Sequence, residues 1–549
     1  MPLRAPEAFF TRLANAGIPI DADPDRLARA TQNITTREQP LAGRVTPRTV
    51  DEVRAVVLAA FDTNVPLYPV STGLNWGYGS RSPATAGCVL VDLSAMRAIR
   101  NADDIGPDNP VAIIEPGVTQ GQLADYLAEH VPSVYFNVTG SARETSVLGA
   151  SLDRGVGYFG PRRDDVFGLE IVTGTAELLY TGLRRLGEDS PIATCHPYGL
   201  GPQLDGLFFQ GNYGIVTSAC LRLRPRQACH VAVSIGIPRE DDLPGVIDTL
   251  AHLKRGGALP AVTHIGNRAR THATLHESVV RFLVDECGVA PGNAPAEADD
   301  VLRRVAPHPW TGLAGIAGTR AQVRAAIRAI RAALGRRAQL RVVTDRLLDT
   351  AISLRGVLGR IGPLRPLVAA AVATKPLHGL ATGVPSSIAV RNLMLKFGSA
   401  ADAPVGELDT SRCGLMYICP VLPLRGMASV GALHRLQGVA ERFGHTLYTT
   451  LNIETDLTLV AVINLLFDRG DAADTARAQE CADALLADIE AQGLSVYRAR
   501  ADMMSYIAAD TRGHSQAFWQ HVADLKRVFD PRDIIAPGRY NRVLREDRP

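Results

Sequence analysis

The stretch Ser71-Thr-Gly-Leu-Asn-Trp-Gly-Tyr-Gly79 directly follows the apolar run Val65–Val70. The run predicts a short β-strand, and the three glycines predict a tight loop at its carboxyl end. Closely spaced glycines let backbone N–H groups converge on an anion, and a pyrophosphate is a natural guest. Taken alone, such a loop is more often a turn without a ligand, so the rest of the chain has to decide between the two.

Helices and strands alternate around this loop. Thr49-Val-Asp-Glu52 is a capping-box pattern ahead of an apolar helical stripe. Runs at 87–93, 111–115 and 215–223 predict strands, and those at 169–173 and 178–180 predict a hairpin around Gly174-Thr175. Since several connections are hairpins, the predicted fold class is α+β rather than a purely parallel sheet. No G-x-G-x-x-G follows a strand, so a nicotinamide-binding Rossmann site has little support.

The local composition and the pattern of predicted elements change near Pro225. The Pro/Ala-rich stretch 288–307 predicts a loop. Beyond it, 415–420, the helical 428–443, then 446–450 and 459–466 predict a β-α-β-β sheet with helical cover. An alanine-rich helix is predicted over 472–492, and a last helix ends at Asp530-Pro531.

Composition excludes several classes of protein. The 549 residues carry a net charge of +2, which gives nucleic-acid binding no electrostatic support. The most apolar stretch, 357–372, is interrupted by arginines and prolines and predicts no membrane span. The first 32 residues contain no long apolar run, and the eight cysteines form no C-x-x-C. We therefore expect a cytoplasmic, reduced protein without a zinc or disulfide framework.

Further glycine-rich segments accompany the first one. They are Ser141–Tyr158, which ends in Asp153-Arg-Gly-Val-Gly-Tyr158, Phe209–Ile215, which contains Asn212-Tyr-Gly-Ile215, and Ala536–Arg539. Three more motifs occur, namely Glu115-Pro-Gly-Val118, Tyr497-Arg498 and Phe529–Gly538. In all these motifs the chain resembles the vanillyl-alcohol oxidase / para-cresol methylhydroxylase (PCMH) family of FAD-dependent oxidoreductases. The motifs occur in the family's order over nearly the whole chain, and the resemblance is to the branch that oxidises para-substituted phenols.

The resemblance implies a PCMH-type FAD-binding domain of two α+β subdomains and an α+β cap domain with a large antiparallel sheet. We expect an N-terminal lead-in (1–44), the FAD domain (45–226), the cap (227–505) and a C-terminal segment that returns to the FAD domain (506–549). The cofactor-binding residues that it implies are Ser71, Thr72, Gly73, Leu74, Asn75, Trp76, Gly77, Gly79, Pro116, Gly117, Ser141, Gly149, Asp153, Gly155, Gly157, Gly211, Asn212, Gly214, Ile215 and Arg539.

The phenol-oxidising branch binds its substrate as a phenolate between two tyrosines and an arginine, which match Tyr78, Tyr497 and Arg498. Tyr158 matches a further tyrosine near the flavin, and it serves equally well as a core residue. An arginine and two hydroxyl donors lower the pKa of a bound phenol. The phenolate then promotes hydride loss from its benzylic or allylic carbon and gives a quinone methide. The implied partners are a small aromatic substrate, O₂ or an electron-carrier protein, and a second copy of the chain.

Two positions depart from the family's pattern. An aspartate beside the reactive flavin nitrogen in alcohol-oxidising members falls at Ser141, whose hydroxyl cannot act as a carboxylate base. The histidine or tyrosine that tethers the flavin falls at Leu415, which cannot form that bond. Cys413 and Tyr417 are the nearby nucleophiles if the register is shifted by two. We expect FAD to be bound without a covalent link.

Other interpretations stay open. Tyr78 can be a packed loop aromatic and Tyr497-Arg498 part of a surface strand. The chain can oxidise a non-phenolic alcohol, a hydroxy acid or a natural-product intermediate, bind flavin without turnover, or bind no flavin. His196, His264 and His514 are isolated in the sequence, so we expect packing roles for them and no metal site.

Overall fold

The computed structural model describes residues 6–398 and 404–544. Residues 1–5 and 545–549, the ends of the expected lead-in and C-terminal segment, lie outside the described residues. Up to residue 225 the elements are α1 (Glu7–Asn15), β1 (Ile20–Asp21), α2 (Pro24–Thr31), β2 (Leu41–Val45), α3 (Val50–Thr63), β3 (Leu67–Val70), β4 (Cys88–Asp92), β5 (Val111–Ile114), α4 (Gln120–His130), β6 (Val134–Tyr135), α5 (Val147–Leu152), β7 (Val166–Thr173), β8 (Leu178–Tyr180), α6 (Asp205–Phe208), β9 (Gly214–Arg222) and β10 (Arg224–Pro225).

These strands form two small sheets and a short pair. In the first sheet, with order β1-β2-β4-β3, strands β2 and β3 both run parallel to β4. In the second, β5-β9-β7-β8, every pair is antiparallel, and β7 and β8 form the predicted hairpin. The Thr49 hydroxyl accepts from the Glu52 N–H at 3.2 Å and caps α3 as predicted. The mixed α+β prediction is confirmed.

The remainder of the chain is built on a larger sheet. Its elements are β11 (Cys229–Ile237), α7 (Leu243–Arg255), β12 (Thr263–Asn267), α8 (Arg268–Asp285), α9 (Ala294–Val305), β13 (Trp310–Gly318), α10 (Arg320–Leu334), β14 (Gln339–Val343), α11 (Asp345–Ser353), α12 (Arg355–Leu358), α13 (Arg365–Ala381), α14 (Ile388–Met394), β15 (Cys413–Ile418), β16 (Val421–Pro423), α15 (Gly426–Arg442), β17 (Leu447–Ile453), β18 (Thr458–Asp468) and α16 (Ala472–Ala491), followed by α17 (Met504–Ala508) and α18 (Ser515–Phe529).

This sheet is antiparallel, with order β14-β11-β13-β12-β17-β18-β15 and β16 paired to β18. Alternate side chains of a strand point to opposite faces. Val233 and Ile235, for example, pack into the core with α7, α10, α15 and α16, whereas Ala232 and Ser234 line a cavity on the other face. The expected large cap sheet and its helical cover are present.

The segment that follows α18 hydrogen-bonds to the first sheet. The amide of Leu67 donates to the carbonyl of Ile534 at 2.6 Å, and the Ala536 amide donates back to the Leu67 carbonyl at 2.7 Å. Lys526, fully buried, donates to Asp530 and to the Ile535 carbonyl, each at 2.7 Å. These bonds hold the segment after α18 beside β3, next to the start of the glycine loop.

The prediction of a loop over 288–307 is wrong, because α9 occupies residues 294–305 of that stretch. Pro295 stands in the first turn, where a missing N–H costs nothing. Ala294, Ala298, Val301 and Leu302 form a buried stripe against α8 and α13. Burial of that stripe outweighs the loop-like composition.

No helix among the described residues combines the length and apolarity that crossing a membrane demands.

Candidate active site

A cavity of about 1040 Å³ lies between the two small sheets and the large one. The glycine loop after β3 and the segment from Ser146 to Val156 form one wall, and the second face of the large sheet forms the opposite wall. Residues of α8, α11 and α13 close the remaining side. The cavity therefore lies between the glycine loop, whose residues are predicted to bind the cofactor, and the large sheet of the predicted cap.

Most of the predicted cofactor-binding residues line this cavity. Those that do are Ser71, Thr72, Gly73, Leu74, Asn75, Trp76, Pro116, Ser141, Gly149, Asp153, Gly155, Gly211, Gly214, Ile215 and Arg539. Five predicted residues lie outside the lining, namely Gly77, Gly79, Gly117, Gly157 and Asn212.

Packing explains the residues outside the lining. Gly77 has φ +75, and a Cβ there would lie 2.5 Å from the ring of Tyr417. A Cβ on Gly117 would lie 2.5 Å from the Met96 carbonyl. Asn212 donates to the carbonyl of Ala536 at 3.1 Å, which ties β9 to the returning segment. These positions shape the walls rather than face the cavity.

The residues present fit an FAD. The cavity extends from the glycine loop to the large sheet. A Cβ on Gly149 would collide with Ser71 Oγ, so the glycine loop and α5 approach each other too closely for any side chain at position 149. The buried Trp76 Nε1 in the lining has no hydrogen-bond partner among the described residues. Hydroxyls at 71 and 72 and the Arg539 guanidinium give the donors that phosphate oxygens need.

Asp153 is shared by two arginines. Arg498 Nη2 donates to its carboxylate at 2.7 Å, and Arg539 donates to the other oxygen. Burial opposes ionisation, but Arg539 and Arg498 outweigh it and lower the pKa of Asp153 below its ordinary value. Two guanidinium groups and one carboxylate leave this cluster with one unit of positive charge.

The three residues predicted to bind a phenolate, the predicted phenolate clamp, lie close together beside this charge. The Arg498 guanidinium carbon lies 4.1 Å from the ring centroid of Tyr78. Burial raises the pKa of Tyr497. Cys419 raises it further, whereas Arg498 and a hydrogen bond with Tyr78 lower it. Burial also raises the pKa of Tyr78 well above normal. Both phenols therefore stay protonated near neutral pH and can donate to an anion.

A second cluster centres on Tyr158. Its ring centroid lies 4.1 Å from that of His264, and His264 Nδ1 is 2.7 Å from Asn452 Oδ1. Burial lowers the pKa of His264 to about 4, so the imidazole is neutral at physiological pH. Burial raises the pKa of Tyr158 to about 12, while Arg270 acts in the opposite direction.

Tyr417 links the two clusters. Its ring stacks on Tyr78 with centroids 4.8 Å apart and planes at 28°. Burial raises its pKa, and Arg270 is the strongest opposing influence. Of the three residues considered for a flavin link, only Tyr417 lines the cavity. Leu415 is buried beside Trp76, and burial raises the pKa of the Cys413 thiol to about 12.

Ser141, at the position of the family's carboxylate, belongs to a hydroxyl network. Its Oγ lies 2.6 Å from Thr139 Oγ1 and 2.8 Å from Thr145 Oγ1, and it accepts from Gln120 Nε2 at 3.1 Å. These neighbours are neutral, so the network supplies no base of carboxylate strength.

Sequence reasoning missed His264, Arg270, Asn452 and Asn464 as cavity residues. His264 was expected only to pack. The two asparagines carried a usable signal, because a lone amide in an otherwise apolar strand marks a polar spot on one face. Arg270 carried none, since an arginine in the first turn of a helix usually faces solvent. No group of three or more His, Cys, Asp or Glu suited to a metal ion occurs within 6–398 and 404–544.

Comparison with known proteins fits this geometry. A family model described as an FAD binding domain matches residues 41–182. The chain is 31% identical to 1'-carboxy-chondrochloren decarboxylase of Chondromyces crocatus, over 98% of this chain and 97% of that protein. It is 27% identical to the 4-cresol dehydrogenase [hydroxylating] flavoprotein subunit of Pseudomonas putida, over 92% and 88% of the two chains. The chain belongs to the vanillyl-alcohol oxidase / PCMH family.

Solved structures share the architecture of this family. Substrate-bound p-cresol methylhydroxylase superposes with a TM-score of 0.79 at 24% identity, covering 98% of this chain and 96% of that one. The 4-ethylphenol oxidase of Gulosibacter chungangensis gives 0.81 at 21%, covering 99% of each chain. As a member of the family, the protein is an FAD-dependent oxidoreductase.

Proposed function

We propose that the protein oxidises a para-substituted phenol at its benzylic or allylic carbon. The observation that carries the proposal is that Arg498, Tyr78 and Tyr497 lie beside one another in the lining of one cavity. The two arginines on Asp153 leave this cluster one positive charge in excess. Such a group stabilises a phenolate more than a neutral phenol, because the anion gains a counterion and two hydroxyl donors.

FAD, when bound, supplies a two-electron oxidant that accepts a hydride. The protein's part is to hold the substrate as a phenolate, whose electron density weakens the benzylic C–H bond. Tyr78 and Tyr497 donate to the phenolate oxygen, and Arg498 neutralises it. The stack of Tyr417 on Tyr78 fixes the first of these hydroxyls in place.

The test is anaerobic mixing of the purified yellow protein with 4-ethylphenol or with 4-ethylanisole. The two compounds have the same ethyl group, but the ether cannot ionise. We expect 4-ethylphenol to bleach the flavin and the ether to leave it oxidised. Equal bleaching by both would remove the phenolate from the mechanism, and bleaching by neither would favour another alcohol as substrate. Reoxidation by O₂, compared with a dye that accepts electrons, then separates an oxidase from a dehydrogenase.

Similarity to a decarboxylase and the serine at position 141 favour a second fate for the quinone methide. Water addition needs a base, which Ser141 cannot provide. If the carbon next to the benzylic one carries a carboxylate, the C–COO⁻ bond can break instead. Its electron pair returns the ring to an aromatic phenolate, CO₂ leaves, and no water is consumed. Release of CO₂ with formation of a hydroxystyryl product would identify this reaction.

A further inference from the structure

Arg270 lines the cavity and has no carboxylate partner among the described residues. It stands in the first turn of α8, and its Nη1 donates to the hydroxyl of Thr274 one turn later. Its Nε is buried and has no hydrogen-bond partner among the described residues. Within the part of the chain that the structure describes, no carboxylate forms an ion pair with its guanidinium, and the groups that act on its pKa include no acid other than two phenols. Arg498 and Arg539, by contrast, both reach Asp153.

A buried positive charge without a partner costs folding free energy. Proteins ordinarily pair such a charge with an acid or place it where a bound ligand supplies the negative charge. Burial lowers the pKa of Arg270, with Tyr417 and Tyr158 acting in the opposite direction. Two phenol hydroxyls therefore stand in its electrostatic neighbourhood, and neither is ionised at neutral pH. The wall contributes a further buried hydroxyl, Thr311 Oγ1, which has no hydrogen-bond partner among the described residues. The residues named here offer hydroxyl groups, and no carboxylate, to the Arg270 guanidinium.

The two positive centres line one cavity and belong to different parts of the chain. Arg498 belongs to the segment after α16, and Arg270 to the start of α8. Tyr417 connects them, because it stacks on Tyr78 of the clamp and its pKa responds to both arginines. A ligand that spans the region can therefore present one anion to each arginine.

We propose that Arg270 binds a carboxylate on the para side chain of the substrate, so that the substrate class is hydroxyphenyl compounds with an acidic side chain. The planar guanidinium can donate two parallel hydrogen bonds to a carboxylate. The inference rests on the proposed function, since Arg498 and the two tyrosines hold the phenolate end. It extends that function by giving the side chain a charge and a place.

The test uses two ligands that cannot be oxidised, because their benzylic carbon has no hydrogen. They are 4-tert-butylphenol and 2-(4-hydroxyphenyl)-2-methylpropanoate, which has a carboxylate in place of one methyl group. Dissociation constants are measured by calorimetry on the holoprotein and on Arg270→Ala, Arg270→Lys and Arg341→Ala. Arg341 lines the same cavity but is exposed, so Arg341→Ala is the matched control.

We expect the wild type to prefer the acid by about tenfold or more, as a charge-assisted hydrogen bond provides. Arg270→Ala should abolish that preference and change the affinity for 4-tert-butylphenol less than about twofold. Arg270→Lys should retain part of the preference, and Arg341→Ala all of it. Because Arg270→Lys keeps the positive charge, a preference retained in that variant shows that the loss in Arg270→Ala comes from the missing charge and not from misfolding.

Other outcomes overturn the proposal in distinguishable ways. If 4-tert-butylphenol binds and the wild type shows no preference for the acid, the carboxylate site fails and the phenol site survives. If Arg270→Ala weakens both ligands equally and perturbs the visible flavin spectrum, Arg270 serves the cofactor instead. If neither ligand binds and 4-ethylphenol does not bleach the flavin, the proposed function and the carboxylate site both fail.

Discussion

Arg498 donates to the carboxylate of Asp153 at 2.7 Å, and the side chains of both residues are nearly buried, with exposed fractions of 11% and 12%. The same carboxylate also pairs with Arg539, which belongs to the C-terminal segment after α18. One acid therefore connects the substrate clamp to the residues proposed for the cofactor. It also sets the charge that both ends experience.

Replacing Asp153 by asparagine should destabilise the fold and weaken FAD retention. The change leaves two buried guanidinium groups without their carboxylate, a loss of about 3–5 kcal/mol for breaking a buried pair. Urea denaturation and the flavin-to-protein absorbance ratio measure the two effects. Asp349→Asn, which removes an exposed partner of Lys375, is the control and should cost below about 1 kcal/mol. A destabilisation no larger than the control's would contradict the assigned role.

The same variant predicts a pH dependence. Because the folded-state pKa of Asp153 is lowered, its ionisation stabilises the fold at pH values above its unfolded pKa of about 3.9. That contribution is lost as the pH falls through the folded-state pKa. The stability difference between wild type and Asp153→Asn should therefore be constant from neutral pH to about 5 and shrink in more acidic solution. A difference that grows on acidification would reverse the sign of the assigned shift.

Arg498→Ala should weaken phenol binding strongly. The variant removes the counterion of the proposed phenolate, and loss of one partner of a buried charge pair costs about 2–5 kcal/mol of affinity. Titration with 4-tert-butylphenol measures the effect, and Arg341→Ala again provides a cavity-lining control. An unchanged affinity would place the substrate elsewhere.

Acid precipitation tests the flavin link. Leu415 has no nucleophile, so we expect the flavin to stay in the yellow supernatant and leave a white pellet. A yellow pellet would indicate a covalent link and contradict the prediction. Tyr417→Phe then identifies the attachment, because Tyr417 is the one residue of the three considered that lines the cavity. Release of the flavin from that variant alone would assign the tether to it.

Ser141→Asp should change the fate of the oxidised substrate. A carboxylate at this position provides a base for water, so the hydrated product of 4-ethylphenol should increase relative to the vinylphenol. Product analysis by chromatography gives the ratio, and Ser141→Asn, which is isosteric but not basic, is the matched control. An equal shift in both variants would indicate a change of shape rather than of base strength.

Lys526→Met should lower the free energy of unfolding by about 3–5 kcal/mol, because the Asp530 carboxylate would stay buried without its cation. The lysine also donates to two backbone carbonyls that would lose their donor. Chemical denaturation measures the change. Lys375→Met, at a partly exposed ion pair, should stay below about 1 kcal/mol. Similar values for the two variants would contradict a structural role for the returning segment.

Local signals in the sequence account for much of the fold. The strand and glycine loop at 65–79, the cap at Thr49 and the hairpin predicted over 169–180 depend on neighbours in the chain, and all three form at the predicted places. Helix α9 did not, because its formation depends on packing against α8 and α13, which composition does not reveal.

The candidate site divides in the same way. Motif residues led to Tyr78, Tyr497, Arg498 and most of the glycine-rich wall. His264 and Arg270 were missed, since each is unremarkable beside its sequence neighbours and becomes a site residue only through burial in a common cavity.

The amino-acid sequence alone identified the family and the cofactor class and predicted the residues proposed for the phenolate clamp, because short motifs encode backbone conformation and chemistry within a few residues. Only the tertiary structure shows that two arginines share Asp153 and that, within the part of the chain it describes, Arg270 has no carboxylate partner. Pairing of charges depends on distances between segments hundreds of residues apart, and a linear pattern contains no record of those distances.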